Sequence, residues 1–177
     1  MRQALAAGRY FDITEKSEYV DTLLSKCIDE YTQLRETQAN GEELTIDPRM
    51  EYIIEQMFKR CYNDGTFKQA IGIALECRRL DKVKEVIANS TDKTDILDYT
   101  FRLCQQAIGS REFRLSVLEI LVELYGSVHG EPDFSNVCQC LQHLDRPKDV
   151  AKILTALIRG TQTQALLAYQ IAFNTVE

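Results

Sequence analysis

The sequence predicts an all-α protein, an α-solenoid of about nine helices stacked as antiparallel hairpins and rod-like in outline. Apolar residues recur at steps of three and four along most of the chain, and short Gly-, Pro- or Asn-containing turns separate these segments. No segment of useful length shows the period-two alternation of a strand. Because short turns place consecutive helices antiparallel, helical hairpins follow. No exact motif recurs, so we expect degenerate repeats.

The first helix is predicted from about Glu18 to Glu36, with Ser17 as its N-cap. A polar, mobile loop is predicted over residues 37–46, because this stretch contains Asn40-Gly41 and little apolar character. The second helix begins at Asp47-Pro48, since Asp is a preferred N-cap and Pro fits the first helical position.

The second helix ends at Asn63-Asp64-Gly65, and Thr66 opens the third. In this third helix Ala70, Gly72 and Ala74 would let a neighbouring helix approach closely. The later helices are predicted at about Leu80–Ala88, Lys93–Ile108 and Glu112–Val128, then around Phe134–Leu144, then after a cap at Asp145, and finally from near Thr163.

The bulk composition predicts one helical-repeat segment over residues 1–177, as a single domain or a piece of a longer array. With 21 basic and 27 acidic residues the net charge is −6, which gives no global attraction for nucleic acid. No apolar run approaches the roughly 20 residues of a membrane span. Both ends fall inside helical patterns, so we expect a longer parent chain and weak self-association through Leu5 or the last helix.

Six cysteines are spread through the apolar helical patterns and are interpreted as buried, reduced thiols of an intracellular protein. They are Cys27, Cys61, Cys77, Cys104, Cys138 and Cys140. Disulfides are not needed, because a chain of this length can build a core without them.

The nearest approach to a metal or catalytic motif is Cys138-Gln139-Cys140 with His143 nearby. Zinc sites usually space a ligand pair by two to four residues and need a second pair, and the other histidine, His129, lies in a predicted turn. Residues two apart on a helix diverge by about 200°, so both thiols cannot easily face one ion. Nucleotide-binding motifs are absent from the sequence. We therefore expect no catalytic residues, metal, cofactor or small-molecule substrate.

One basic cluster stands out, formed by Arg78, Arg79, Lys82 and Lys84. It is a candidate patch for docking an acidic or phosphorylated partner. The favoured interpretation is instead a solvated face on which Glu76, Asp81 and Glu85 pair locally with these cations.

Several long segments resemble non-ATPase regulatory subunit 1 of the 26S proteasome, a family of regulatory-particle scaffold subunits. They occur in the family's order and cover nearly the whole chain. These segments are 68–76 (KQAIGIALE), 78–81 (RRLD), 132–141 (PDFSNVCQCL), 17–20 (SEYV), 26–29 (KCID) and 168–173 (AYQIAF). Residues 93–130 and 33–45 resemble the family less closely.

The resemblance implies a piece of the N-terminal helical rod that precedes the family's toroid of repeats and its C-terminal receptor-binding part. It implies a base subunit that contacts lid and base subunits of the regulatory particle, acts in ubiquitin-dependent degradation without catalysis, and resides in cytoplasm and nucleus. Two other functions remain open. One is a generic helical-repeat adaptor of another large assembly. The more remote one is a metal- or thiol-dependent enzyme that uses Cys138, Cys140 and His143.

Overall fold

The computed structural model describes residues 18–39, 41, 45–127 and 132–174, and these residues form helices joined by turns. The all-α class is thereby confirmed. The helices of this part are α1 (Glu18–Ala39), α2 (Pro48–Asp64), α3 (Phe67–Glu76), α4 (Leu80–Asn89), α5 (Lys93–Ala107), α6 (Arg111–Tyr125), α7 (Phe134–His143), α8 (Pro147–Ile158) and α9 (Gln162–Asn174). None of them is long and apolar enough to span a lipid bilayer.

The chain divides into two compact units, Met1–Asp92 and Lys93–Glu177. In the first unit α1 packs on α2 and α3, α2 packs on α3, and α3 packs on α4. In the second unit each helix from α5 to α9 packs on the next one along the chain. This consecutive packing is typical of an α-solenoid of helical hairpins. The single rod segment over 1–177 stays a prediction.

Local sequence explains the ends of α2. Asp47 caps the helix by accepting a hydrogen bond from the Arg49 amide at 2.9 Å, and Pro48 occupies the first turn, as predicted. At the other end Gly65 adopts φ 68°, a left-handed conformation that glycine tolerates. The Gly65 amide donates to the Tyr62 carbonyl and the Thr66 amide donates to the Cys61 carbonyl, which satisfies two terminal carbonyls of the helix.

Helix α1 extends to Ala39, three residues beyond its predicted end and into the predicted loop. The Thr37 hydroxyl donates to the Gln33 carbonyl one turn earlier, and Arg35 donates to the Gln38 side chain, so local polar contacts support the extra turn. The predicted N-cap Ser17, Asn40 and residues 42–44 of the loop lie outside the described residues.

Each unit has an apolar core supplied by inward faces of its helices. In the first unit the fully buried side chains include Tyr31, Ile54, Phe58, Ile71 and Val83. In the second they include Leu97, Val117, Leu118, Leu121 and Tyr125. All six cysteines are buried and unpaired with one another, which confirms their predicted place in the core.

The predicted close approach of a neighbouring helix is wrong at Gly72. Ala70 and Ala74 are completely buried, but Gly72 is only half-buried, and a Cβ built on it would meet no atom within 4 Å. Gly72 therefore does not bring a neighbouring backbone close to α3.

The turns α3–α4 and α7–α8 are built in the same way, although their sequences differ. Each follows a ten-residue helix, and each has a residue other than glycine in the left-handed region, Arg78 at φ 53° and Asp145 at φ 55°. The next amide, of Arg79 or Arg146, donates to a carbonyl five residues back at 2.9 Å in both turns. The two hairpins therefore repeat the same turn geometry without a shared sequence motif, as expected for degenerate repeats.

This geometry corrects the predicted cap of α8. Asp145 was expected to cap the helix, but it occupies the left-handed position that ends α7, and Arg146 is the N-cap residue of α8. The predicted starts of α3, α4 and α5 are confirmed to within one residue, and α6 ends at Tyr125, before the predicted Val128.

Candidate functional site

The predicted basic cluster lies at the turn between α3 and α4 and in the first turns of α4. The left-handed Arg78 ends α3, and Arg79 is the N-cap residue of α4. The amides of Arg78 and Arg79 donate to the carbonyls of Leu75 and Ala74, at 3.2 and 2.9 Å. This hydrogen-bonded turn holds the two arginine backbones in place beside α1 and α2.

Arg79 is the centre of the cluster, and its side chain is only 12 % exposed. Its guanidinium lies 3.0 Å from the Glu55 carboxylate and 3.7 Å from that of Glu51, both on α2. It also donates to the phenol oxygen of Tyr31, a fully buried residue of α1, at 3.3 Å. Arg79 therefore joins the α3–α4 turn to two other helices.

Asp81 completes the contacts of Arg79 from within α4. The carboxylate accepts from Arg79 Nε at 2.8 Å and from Nη2 at 2.6 Å. These hydrogen bonds hold the pKa of Asp81 below its usual range and help to raise the pKa of Arg79. Both groups therefore stay charged at neutral pH.

Lys82 is buried beside Glu55, one of the carboxylates that bind Arg79. Its Nζ lies 2.7 Å from Glu55 and 2.7 Å from Glu85, and 5.4 Å above the ring centre of Phe58. Burial disfavours the charged amine, but hydrogen bonds with Glu55 and Glu85 outweigh burial and raise the pKa of Lys82. Glu55 thus bridges Lys82 and Arg79.

The remaining two members of the cluster lie further out. Arg78 pairs with Glu36 of α1 at 3.0 Å, and its side chain is 23 % exposed, whereas Lys84 is exposed. The predicted local pairing with Asp81 and Glu85 is seen, whereas Glu76 is not the partner of Arg78, Arg79 or Lys82 in these ion pairs. The favoured solvated face is wrong for Arg79 and Lys82, whose side chains are only 12 % and 9 % exposed. Docking of a partner on this cluster stays a prediction.

The geometry shows what these residues do within the chain. Arg78, Arg79 and Lys82 are bound by carboxylates from α1, α2 or α4, so they connect helices of the first unit. The distant partners Glu36, Glu51 and Glu55 were missed in the sequence, because no local spacing relates them to the cluster.

The second candidate group does not form a site among the described residues. Cys138 and Cys140 are 1 % and 0 % exposed, and burial raises the pKa of both thiols, to about 12 for Cys140. His143 is exposed, hydrogen-bonded to Gln105 at 2.9 Å and packed edge-on against Phe101. His129 lies outside the described residues.

A nucleophilic cysteine needs an accessible thiolate and a nearby base, and buried neutral thiols lack this chemistry. In the described part of the chain, moreover, no three His, Cys, Asp or Glu side chains are grouped so that they could hold a metal ion.

A cleft of about 350 Å³ lies among α1, α2 and α3. Its lining mixes apolar side chains such as Leu24, Met57 and Ile73 with the ion pair between Arg60 and Asp64, whose atoms are 3.8 Å apart. The lining thiol of Cys61 has a pKa raised by burial, so it offers no ready nucleophile.

A further basic surface lies on α8 and was missed by the sequence reasoning. Lys148 and Lys152 of α8 and Arg159, the C-cap residue with helical backbone angles, recur at steps of four and seven, which places them on one face at 100° per residue. This face is opposite the buried side chains of Val150 and Leu157. The signal was present in the spacing of the lysines against the apolar stripe, but the denser Arg78–Lys84 cluster was more conspicuous.

Comparison with known proteins shows the family to which this chain is similar. The family model described as the 26S proteasome subunit RPN2, N-terminal domain, matches residues 1–177. The chain is 47 % identical over 176 residues to 26S proteasome non-ATPase regulatory subunit 1 homolog A of Arabidopsis thaliana, covering 98 % of this chain and 17 % of that protein.

Two relatives from other lineages show the same partial coverage. Identity is 45 % to 26S proteasome non-ATPase regulatory subunit 1 of Dictyostelium discoideum, over 98 % of this chain and 18 % of that protein. It is 33 % to 26S proteasome regulatory subunit RPN2 of Eremothecium gossypii, over 99 % and 19 %. The chain thus spans less than a fifth of the length of these relatives. With a helical fold, buried thiols and a family match over its whole length, the chain belongs to the family of the 26S proteasome subunit RPN2, N-terminal domain.

Proposed function

We propose that this chain is part of a non-catalytic scaffold subunit of the 26S proteasome regulatory particle. The observation that carries the proposal is the match of the RPN2 N-terminal domain to residues 1–177, together with relatives named as non-ATPase regulatory subunits. In this function the chain holds other subunits at fixed positions for ubiquitin-dependent protein degradation. It belongs to the base and contacts both base and lid subunits.

The chemistry of the described residues supports a structural role. Two charged side chains of low exposure, Arg79 and Lys82, bind carboxylates of neighbouring helices. The buried cysteine thiols have raised pKa values, which disfavour the thiolate that nucleophilic catalysis or metal binding requires. Polar contacts of this kind hold helices in register, and a subunit that positions partners requires a fixed register.

The proposal includes the partners and the compartment. The partners are proteins, and nucleic acid, membranes and small-molecule substrates are not among them, in keeping with a net charge of −6. The complete gene product acts in the cytoplasm and the nucleus, where the 26S proteasome works.

Depletion of the complete gene product in cells, followed by rescue, tests the proposal. We expect ubiquitin conjugates to accumulate and the assembled regulatory particle to be lost, with both restored by the wild-type gene. Normal particle assembly after full depletion contradicts the proposal and favours a helical-repeat adaptor of another assembly.

Two rescue variants separate the scaffold from a thiol- or metal-dependent enzyme. His143→Gln keeps a polar group at an exposed position, and Cys138→Ala removes a buried thiol with little change of shape. If the protein is a scaffold, both variants should rescue the depleted cells fully. If it is an enzyme that uses these groups, neither variant should rescue them.

A further inference from the structure

The outward face of α8 carries basic side chains that the cores of the fold do not use. Lys148, Lys152 and Arg159 are all exposed, and the Lys152 side chain is 78 % exposed. Among the described residues, Lys148 and Arg159 form no ion pair, and Lys152 pairs with Asp149 at 2.9 Å. We call Lys148, Lys152, Thr155 and Arg159 the α8 basic face.

The residues next to these cations on α8 have small side chains. Ala151, Thr155 and Ala156 are exposed on the same helix, so a partner backbone could approach α8 closely between the long basic side chains. Arg146 extends the positive charge at the helix start, where it donates to Asp149 at 2.8 Å. Hydrogen bonds from Lys152 and Arg146 hold the pKa of Asp149 below its usual range, so this carboxylate stays charged and orients both cations.

The charge of this region differs in sign from that of the chain. Residues 145–174 contain four basic residues and two acidic ones, which gives a net charge of +2. All six lie before α9, which carries no charged residue. The whole chain has a net charge of −6. A local basic surface on an acidic protein favours a local acidic partner over an extended polyanion, which the remaining charge would repel.

The first unit shows the complementary chemistry within this same chain. There Glu51 and Glu55, one helical turn apart on α2, bind Arg79, and Glu55 also binds Lys82. Lys148 and Lys152 are likewise one turn apart, so carboxylates at positions i and i+4 of a second helix match them in spacing.

We propose that the α8 basic face binds an acidic helix of another protein subunit, with carboxylates one turn apart placed against Lys148 and Lys152 and a further carboxylate against Arg159. The inference rests on the proposed scaffold function and adds to it the surface and the chemical class of the partner.

A cross-linking experiment on assembled particles that contain the complete gene product tests this surface. A carbodiimide joins an amine to a carboxylate only when the two are in contact, so it reports the pair directly. We expect Lys148 and Lys152 to be coupled to Asp or Glu residues of one helix in another subunit. The double variant Lys148→Glu, Lys152→Glu should lower the salt-sensitive affinity for that subunit by about tenfold or more.

The matched control is Lys26→Glu, Lys59→Glu, which changes the net charge equally at exposed lysines of α1 and α2. We expect it to leave the affinity unchanged. Replacing the cross-linked carboxylates of the partner by lysine should restore binding to the Lys148→Glu, Lys152→Glu variant, a result that a merely destabilised chain could not give.

Three results would overturn the inference. If the particle assembles normally, Lys148 and Lys152 form no cross-links and the double variant binds like wild type, this surface is wrong but the scaffold function stands. If the double variant loses affinity for an RNA homopolymer or phosphatidylserine vesicles and not for a subunit, the partner class is wrong. If wild-type protein recovers no regulatory-particle subunit, the proposed function fails and the inference fails with it.

Discussion

The guanidinium of Arg79 lies 3.0 Å from the carboxylate of Glu55, and this contact joins the α3–α4 turn to α2. Glu55 also binds the buried amine of Lys82 at 2.7 Å. One carboxylate of α2 therefore holds two cations that begin α4. The position of α4 in the first unit depends on this contact as well as on the apolar core.

Arg79→Ala should destabilise the first unit by about 2–3 kcal/mol, because it leaves Glu55 with one cation and removes a donor to Tyr31. Urea unfolding followed by circular dichroism measures this loss. Lys84→Ala, at an exposed position of the same cluster, is the control and should change stability by less than about 0.5 kcal/mol.

A double-mutant cycle with Glu55→Ala separates the pair from its surroundings. We expect a coupling energy between Arg79 and Glu55 of about 1 kcal/mol or more. Additive single effects would show that the 3.0 Å contact contributes nothing to stability and that Arg79 acts through its other contacts, with Asp81, Tyr31 and Glu51.

Two glycines of the first unit should respond to alanine with opposite signs. Gly65 has φ 68°, so Gly65→Ala should destabilise by about 1 kcal/mol through backbone strain alone, since its Cβ would meet no atom within 4 Å. Gly72 lies inside α3 and also has room for a Cβ, so Gly72→Ala should stabilise by up to about 1 kcal/mol. Thermal unfolding of both variants checks this, and equal signs would contradict the assigned backbone conformations.

The buried thiols should resist alkylation in the native chain. Burial raises the pKa of Cys27 and Cys104 to about 11 and that of Cys77 and Cys140 to about 12, so little thiolate exists at pH 8. We expect iodoacetamide to label all six cysteines in urea and few of them in native protein, as read by mass spectrometry. Gln106→Cys, at an exposed position, is the positive control.

The same shifts give a pH dependence of stability. A raised thiol pKa means that the unfolded chain releases its protons first, near pH 9, whereas the folded chain keeps them up to about pH 11–12. The stabilisation is therefore complete below pH 9 and is lost as the pH rises through 11–12. Urea midpoints measured from pH 7 to 11 should fall at the alkaline end, and a constant midpoint would contradict thiol burial.

In the second unit, Tyr125→Phe should destabilise by about 1–2 kcal/mol. The phenol of Tyr125, 2 % exposed, donates to Asp98 at 2.7 Å and thereby links α6 to α5. Without the hydroxyl, the Asp98 carboxylate loses this short hydrogen bond and keeps the longer one from the Asn136 side chain, at 3.4 Å. Tyr169→Phe, 63 % exposed on α9, is the control and should be neutral in urea unfolding.

The apolar surface of α9 predicts weak self-association of the isolated chain. Leu166, Tyr169 and Phe173 are 63 %, 63 % and 72 % exposed and share one side of a helix without charges. Phe173→Glu should lower the mass measured by light scattering at high concentration, and Gln170→Glu on the same helix should not. A concentration-independent monomer mass in wild type would exclude self-association. Leu5, the other predicted contact, lies outside the described residues.

The fold was largely predictable, because helix signals are local. Asp47-Pro48 and Gly65 mark the ends of α2 through interactions within a few residues, and both ends were predicted correctly. Asp145 misled the prediction because an aspartate suits both an N-cap and a left-handed position, and the two lie next to each other in this turn.

The candidate site was predictable only where its contacts are local. The pairing of Arg79 with Asp81 and of Lys82 with Glu85 follows from spacing on α4. Glu55 lies 24 residues before Arg79 in the sequence, so its contact depends on how α2 packs in the first unit. Periodicity does not specify tertiary packing. The sequence therefore did not show that Arg79 and Lys82 of the basic cluster contact another helix through Glu55.

Membership of a regulatory-particle scaffold is the central claim, and affinity purification of the tagged complete gene product with quantitative mass spectrometry tests it most directly. We predict that the other base subunits and the lid subunits are recovered in near-stoichiometric amounts at moderate salt. Recovery of a different helical-repeat assembly, without proteasome subunits, would contradict the claim and leave only the all-α fold and its family match standing.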